Sequence, residues 1–263
     1  VNRYGALHER LRLRGKRPQD LKFLSEQIHK INADVLLLQE VEEGRFLETF
    51  NKKYLQDLGY ESATSHSNDP KGYAVGILSK FPIVRIASYT NRALKNFLPP
   101  THFVKDLMEA ELEIGNERIT FFNLHTQSPP LRPYYSKDQW QLHRKAELQG
   151  LCDIVNEFSK KDEKAHGKSD YWILVGDLNV TVEEDIYEPL GKQNWTDFSV
   201  LSGKTQPTCP SDNPKWRIDY IWGSPSITQF FVPNSFVIHS EGVAVKASDH
   251  LAISADFLIQ NSK

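Results

Sequence analysis

The sequence predicts an α/β protein whose helices pack on the faces of mixed sheets. Three observations carry this. Stretches with apolar residues at helical spacing alternate with short apolar, strand-like runs along the chain. The dipeptide Gly115-Asn116 joins two strand-like segments as a hairpin, so at least one pair of strands runs antiparallel. No linker-like tract interrupts the alternation, which favours a single domain over residues 1–263.

In order along the chain, Leu21, Leu24, Ile28 and Ile31 recur at helical spacing behind Pro18, and Val35-Leu36-Leu37-Leu38 then reads as a buried strand ending at Gln39-Glu40. Phe46, Leu47, Phe50, Tyr54 and Leu58 predict a second helix up to Gly59, and Ala74 to Ser79, stopped by Pro82, a second strand. Leu107 to Ile114 and Arg118 to Leu124 form the hairpin. Trp140, Arg144, Leu148, Leu151, Val155 and Phe158 mark a long amphipathic helix, and the polar stretch 159–169 reads as a solvated loop. Next come the strand "YWILVGDLN", a Glu-rich helical turn, a Pro- and Ser-containing loop over 202–215, and strands near 217–222, 229–238 and 251–258. No repeat is evident.

Composition narrows the function classes. With 39% hydrophobic and 25% charged residues, the chain is neither disordered nor fibrous, and no apolar run approaches the roughly 20 residues of a membrane helix. The 32 basic and 34 acidic side chains nearly cancel, so any polyanion site has to be local. Two cysteines are too few for a disulfide scaffold or a closed thiolate zinc site. Compartment stays unassigned. The chain starts at Val1 with neither an initiator Met nor a signal-like segment, and the expectation is that an upstream piece has been removed or left out.

Polar residues gather at the ends of the strand-like runs: "DVLLLQE" ends at Glu40, "TFFNLHT" near His125 and "YWILVGDLN" at Asp177 and Asn179, while "SDHLAISADFLI" opens with Ser248-Asp249-His250. Taken singly, each has a bland alternative as a solvated strand end or turn residue. Asp219 differs, because a carboxylate within "WRIDYIW" is flanked by apolar residues and needs a partner. Strand ends converge at one sheet edge in α/β proteins, which would gather these groups. Such a set holds carboxylates and histidines and no thiolate, so it suits Mg²⁺, with Mn²⁺ and Ca²⁺ as the other hard cations. Mg²⁺ keeps waters and binds substrate phosphate, and phosphoester chemistry follows. Asp177 and Asn179, two apart on an extended segment, are expected to point to the same side.

Taken together, "LLLQE", "NLHT", "GDLN", "RIDY" and "SDH", in this order over residues 36–250, resemble the endonuclease/exonuclease/phosphatase superfamily. Its members include deoxyribonuclease I-like and exonuclease III-like nucleases, sphingomyelinases, inositol polyphosphate 5-phosphatases and tyrosyl-DNA phosphodiesterases. The resemblance implies a four-layer α/β/β/α sandwich of two packed mixed sheets flanked by helices, with the site at one edge. It implies Glu40 as metal ligand and Asp249 as a further metal or neighbouring group. Asp177 would position or deprotonate the attacking water, Asn179 would donate to the phosphate and His125 would stabilise charge on the phosphoryl oxygens. His250, held in one tautomer by Asp219, would be the general base in place of Asp177, or a phosphate contact.

The family's first strand carries an Asn, which falls either just before Val1 or at Asn2; in the first alignment Asn2 occupies a place where some relatives carry an acidic metal-shell residue. The segment "KGYAVGILSKFP" resembles an exonuclease III-like stretch, which implies Lys71 and Tyr73 as contacts to a phosphate backbone and a base or sugar, with a loop leading into a core strand as the bland alternative; Lys105 is a further candidate phosphate contact, with a solvated lysine as its alternative. "NPKWRIDY" lacks the 5-phosphatase signature. The expected function is therefore a monomeric, divalent-metal phosphodiesterase acting on DNA or RNA. Its alternatives are a hydrolase of a lipid headgroup or small phosphoester and an inactive binding module on the same fold.

Overall fold

The computed structural model describes residues 16–42, 45–95, 101–128, 136–166 and 171–259. Its elements are α1 (Pro18–Ile31), β1 (Val35–Glu42), α2 (Phe46–Tyr54), β2 (Glu61–Thr64), β3 (Tyr73–Ser79), β4 (Ile83–Ser88), β5 (Leu107–Ile114) and β6 (Glu117–His125). They continue with α3 (Lys137–His166), β7 (Trp172–Asp177), α4 (Glu188–Gly191), β8 (Thr196–Asp197), α5 (Phe198–Leu201), β9 (Asp219–Gly223), β10 (Val237–His239), α6 (Ala244–Ala247) and β11 (Ala252–Ser254). Among the described residues the strands form a six-stranded sheet in the order β4-β5-β6-β7-β9-β8, a three-stranded sheet β1-β3-β2 and a two-stranded pair β10-β11. In the large sheet β6 and β7 run parallel, joined through α3, and the other pairings are antiparallel.

Strand alternation sorts the side chains into layers. Phe122, Leu124, Trp172, Leu174, Tyr220 and Trp222 pack with Leu148, Leu151 and Val155 of α3. Their alternates Ile119, Phe121, Ile173 and Ile221 pack with Val75 and Ile77 of the smaller sheet. On that sheet's outer face Leu36, Leu38 and Leu78 meet Ile28 of α1 and Leu47 of α2. The result is a four-layer α/β/β/α sandwich.

Local chemistry explains most boundaries. Pro18 opens α1, where Asp20 accepts the Arg17 backbone N–H at 3.1 Å, and Asn32 closes it in the left-handed region. Gly115, at φ 64°, makes the turn that pairs Ile114 with Glu117.

Four expectations are corrected. The stretch 159–169 is no loop as far as His166, since α3 continues through it; a polar composition alone does not separate a helix from a loop. Residues 229–238 are not one strand: a 3₁₀ turn covers Ile227–Phe230 and β10 only Val237–His239. The apolar run Phe230-Phe231 packs into the inter-sheet core without needing a strand. The second helix breaks after Tyr54 into a 3₁₀ turn, and the strand expected over 251–258 is confined to Ala252–Ser254.

Candidate active site

Register brings the polar residues together. The parallel pairing of β6 with β7 sets His125 beside Asp177, and the antiparallel pairing of β7 with β9 sets Asp177 beside Asp219. All three alternate with residues that pack toward α3, so they share the face turned to the smaller sheet, at the edge where the apolar filling ends. β5 enters from the same edge, because Leu107 pairs with Leu124, and this delivers Lys105 next to His125.

The smaller sheet contributes Glu40. A register shift between Leu38 and Val41 leaves Gln39 and Glu40 in a bulge, with Glu40 at φ 54° and exposed. A positive φ on a non-glycine residue is costly and collects at functional positions. Asn123 fastens the two sheets here. Its amide donates to the Leu38 and Gly76 carbonyls, each at 3.0 Å, and its oxygen accepts from Gln39 Nε2 at 2.8 Å.

The central contacts form a chain of charge. His250 Nδ1 lies 3.0 Å from Asp219 Oδ2, which also accepts from Thr208 Oγ1 at 2.5 Å. With Nδ1 committed to Asp219, Nε2 faces Asp177 Oδ2 at 3.9 Å. Burial works to lower the pKa of His250, but its hydrogen bond to Asp219 and the charges of Asp177 and Asp249 outweigh that and raise it to about 9. Asp177 is 5% exposed, and burial followed by repulsion from Asp219 pushes its pKa up to about 7.

Asn179 does not continue the strand as expected. At φ 48° it turns back, so that its backbone N–H donates to Asp177 Oδ1 at 2.8 Å. Its amide nitrogen reaches Thr126 O at 3.2 Å and Asp177 Oδ2 at 3.3 Å. The pair therefore shares one side through a left-handed turn rather than through extended backbone.

Lys105 is not the exposed lysine that its position in a loop suggests. It is 3% exposed, its Nζ lies 2.9 Å from His125 Nε2, and burial lowers its pKa against the pull of Glu40 and Asp177. His125, equally buried, lies 3.3 Å from Asp177 Oδ2 and is held neutral by burial and by the neighbouring charges of Lys105 and His250. Asp249 is exposed beside His250. Tyr73 pairs with Glu42 two residues beyond Glu40, and Lys71 is exposed on the loop leading to it. Asn2 lies outside the described residues.

The carboxylates of Asp177 and Asp219 are oxygen donors of the kind that a hard cation takes. Asp177, Asp219 and His250 each offer a ligand atom, and these atoms lie within 4.8 Å of one another. Two neighbouring carboxylates held largely out of water repel, so the site favours a counter-charge. Among the described residues this tight trio does not include Glu40 or Asp249, the carboxylates expected to bind metal, which stand on the exposed rim.

Several contributors escaped the sequence reading. Gln39 and Asn123 are polar residues inside apolar strand runs, a signal that was available. Glu147 was legible too, being on the buried stripe of α3 with Arg144, Leu148 and Leu151. Thr208 and Trp216 lie in an irregular loop and gave no periodic signal. Trp216 is 52% exposed and, with Val182, Val200, Leu201, Lys215 and Arg217, lines a groove of about 840 Å³. Arg217 of that groove lies two residues from Asp219 in the chain.

The profile of the Endonuclease/Exonuclease/phosphatase family matches residues 11–250. Truncated Caenorhabditis elegans TDP2 superposes with a TM-score of 0.65 at 22% identity, over 92% of this chain and 90% of that one. The human Nocturnin catalytic domain with bound sulfate anion gives 0.67 at 20% identity, over 93% and 88%. Bacteroides thetaiotaomicron mannosyl-6-phosphatase Bt3783 gives 0.60 at 19% identity, over 92% and 91%. At such identities the likeness is one of fold. No curated protein matches the sequence.

Proposed function

The chain belongs to the endonuclease/exonuclease/phosphatase family, and on that premise we propose that it is a divalent-metal-dependent phosphodiesterase acting on DNA or RNA as a single catalytic domain. The observation that carries this reading is the histidine–carboxylate pair His250–Asp219 facing the buried Asp177 across 3.9 Å at the rim between the sheets.

A phosphodiester is anionic and repels hydroxide, so its hydrolysis needs positive charge at the non-bridging oxygens and an oriented water. Glu40 and Asp249, on the exposed rim, are proposed to hold Mg²⁺ or Mn²⁺ beside the inner carboxylates. When bound, that ion supplies positive charge to the phosphoryl oxygens and acidifies a water. Asp177 orients the attacking water and accepts its proton, its carboxylate fixed by both nitrogens of Asn179. His250 presents Nε2 to the phosphoryl group, its ring orientation set by Asp219. Lys105 lies behind Asp177 against the neutral ring of His125 and adds a buried positive charge near the reacting centre.

Nucleic acid is preferred as substrate because the groove lined by Trp216 offers an aromatic platform. Exposed Trp216 next to Lys215 suits a stacked base and its backbone phosphate, whereas a headgroup or sugar phosphate needs no such surface. Tyr73 and Lys71, on the other side near Glu40, are proposed as further backbone contacts.

The test is incubation with plasmid DNA, RNA, bis(4-nitrophenyl) phosphate, sphingomyelin and inositol phosphates, with Mg²⁺ or Mn²⁺ and with chelator. The expected result is cleavage of a nucleic acid and of the generic diester only with metal. Intact nucleic acid alongside hydrolysed sphingomyelin or inositol phosphate would assign the lipid or small-phosphoester alternative. Trp216→Ala is expected to weaken nucleic-acid binding by about 1–3 kcal/mol, roughly 5- to 150-fold, while hydrolysis of bis(4-nitrophenyl) phosphate stays unchanged. A binding titration with an oligonucleotide beside diester kinetics checks it.

A further inference from the structure

Glu147 lies on the buried face of α3 and is 0% exposed. A carboxylate there is expensive unless each oxygen finds a strong donor. Both do. One oxygen accepts the backbone N–H of Val104 at 2.9 Å, and the other accepts that of Gln127 at 2.8 Å.

The two donors lie beyond the end of the β5–β6 ladder. The β5–β6 ladder stops at the pair Leu107 and Leu124, and beyond it the backbone runs through 104–106 on one side and 125–127 on the other. Glu147 spans that gap where a ladder hydrogen bond no longer can. One turn earlier, His143 makes a second span between the same segments, with Nδ1 2.5 Å from Gln127 Oε1 and Nε2 3.1 Å from the His102 carbonyl. From the outer side the Val104 carbonyl is held by Asn68 N–H at 2.9 Å, and Asp106 is fixed at φ 90°.

The bridged segments carry Lys105 and His125, whose heads meet at 2.9 Å beside Asp177. We propose that Glu147 is a positioning residue that sets the Lys105–His125 contact by clamping the backbone of Val104 and Gln127. Its catalytic consequence rests on the phosphodiesterase reading above, while the clamp itself can be read without turnover.

The experiment compares Glu147→Gln, Glu147→Asp, Glu147→Ala, Lys105→Ala and the double variant Glu147→Gln with Lys105→Ala, in the full chain. Readouts are kcat and KM on bis(4-nitrophenyl) phosphate with Mg²⁺, thermal melting, and amide hydrogen exchange at Val104 and Gln127. Glu147→Gln keeps an acceptor for one N–H and presents a donor to the other. It is expected to lower kcat by about 10- to 100-fold, the scale on which misplacement by about 1 Å acts, with KM little changed. Glu147→Ala falls further, Val104 and Gln127 exchange faster, and the double variant is no slower than Lys105→Ala alone because both changes act on one contact.

Additive losses, or an unchanged kcat for Glu147→Gln, would overturn the proposal. If Glu147→Gln does not fold, Glu147→Asp, which keeps the charge but is one carbon shorter, is read by the same criteria. If the unmodified protein leaves the diester intact, the function proposal fails, and amide exchange then decides the clamp: unchanged protection at Val104 and Gln127 in the folded variants overturns it.

Discussion

His250→Ala is expected to lower kcat on a phosphodiester by about 10² to 10⁴-fold, the range that a positioned acid or base contributes. The ring and the backbone that carries it are each held. Asp219 holds Nδ1 at 3.0 Å, and His250's own backbone N–H donates to Ser248 Oγ at 3.2 Å. Nothing else in the tight trio can replace Nε2, since Asp177 and Asp219 carry only oxygen. Asp219→Asn changes what faces Nδ1 from a charged acceptor to an amide, and it is expected to lower kcat in the same direction by less. The half-buried ring can be removed without opening the deep core, so melting should move far less than activity. Steady-state kinetics on bis(4-nitrophenyl) phosphate decides this: a loss of less than about tenfold for His250→Ala would remove His250 from the chemistry.

Gly176→Ala is the change expected to cost most in stability. A Cβ on Gly176 would stand 2.1 Å from the carbonyl oxygen of Leu124 and 3.1 Å from its carbonyl carbon. Both are backbone atoms of the adjacent strand, so no rotamer change relieves the contact and the two strands have to move apart. Overpacking of this kind costs about 3 kcal/mol, which for a chain of this size is a fall in Tm of about 6 to 12 °C. Activity should suffer as well, because Leu124 and Gly176 directly precede His125 and Asp177. Thermal unfolding measures the first effect, and a fall of less than about 2 °C would show that the strands accommodate the methyl group.

The same glycine illustrates what the sequence made legible. "VGDLN" announced a strand end carrying an acid and an amide, and the register of β6, β7 and β9 aligned that end with His125 and Asp219. Such strands read well as short continuous apolar runs, because both faces are packed and nearly every position is apolar. The periphery reads poorly. β8 is only Thr196–Asp197, and the Arg217 contacts to Asp197 and Ser199 that anchor it connect residues about twenty apart in the chain. The burial of Lys105 is hidden for a related reason: the residue precedes a strand, and only the return of β6 shows that His125 and Asp177 enclose it. Asn179 was placed correctly through the wrong backbone, since a turn's φ is not written in hydropathy.

The Asn123 amide has a mechanical consequence. It grips the backbone of the neighbouring sheet at Leu38 and Gly76, and the groups on either side of it come from different sheets, Glu40 from one and Asp177, Asp219 and His125 from the other. The seam between the two sheets is thus also the line across which substrate would be gripped. Turnover should vanish as soon as that seam loosens, before the helices on the outer faces melt, which would make enzymatic activity an earlier reporter of damage than circular dichroism.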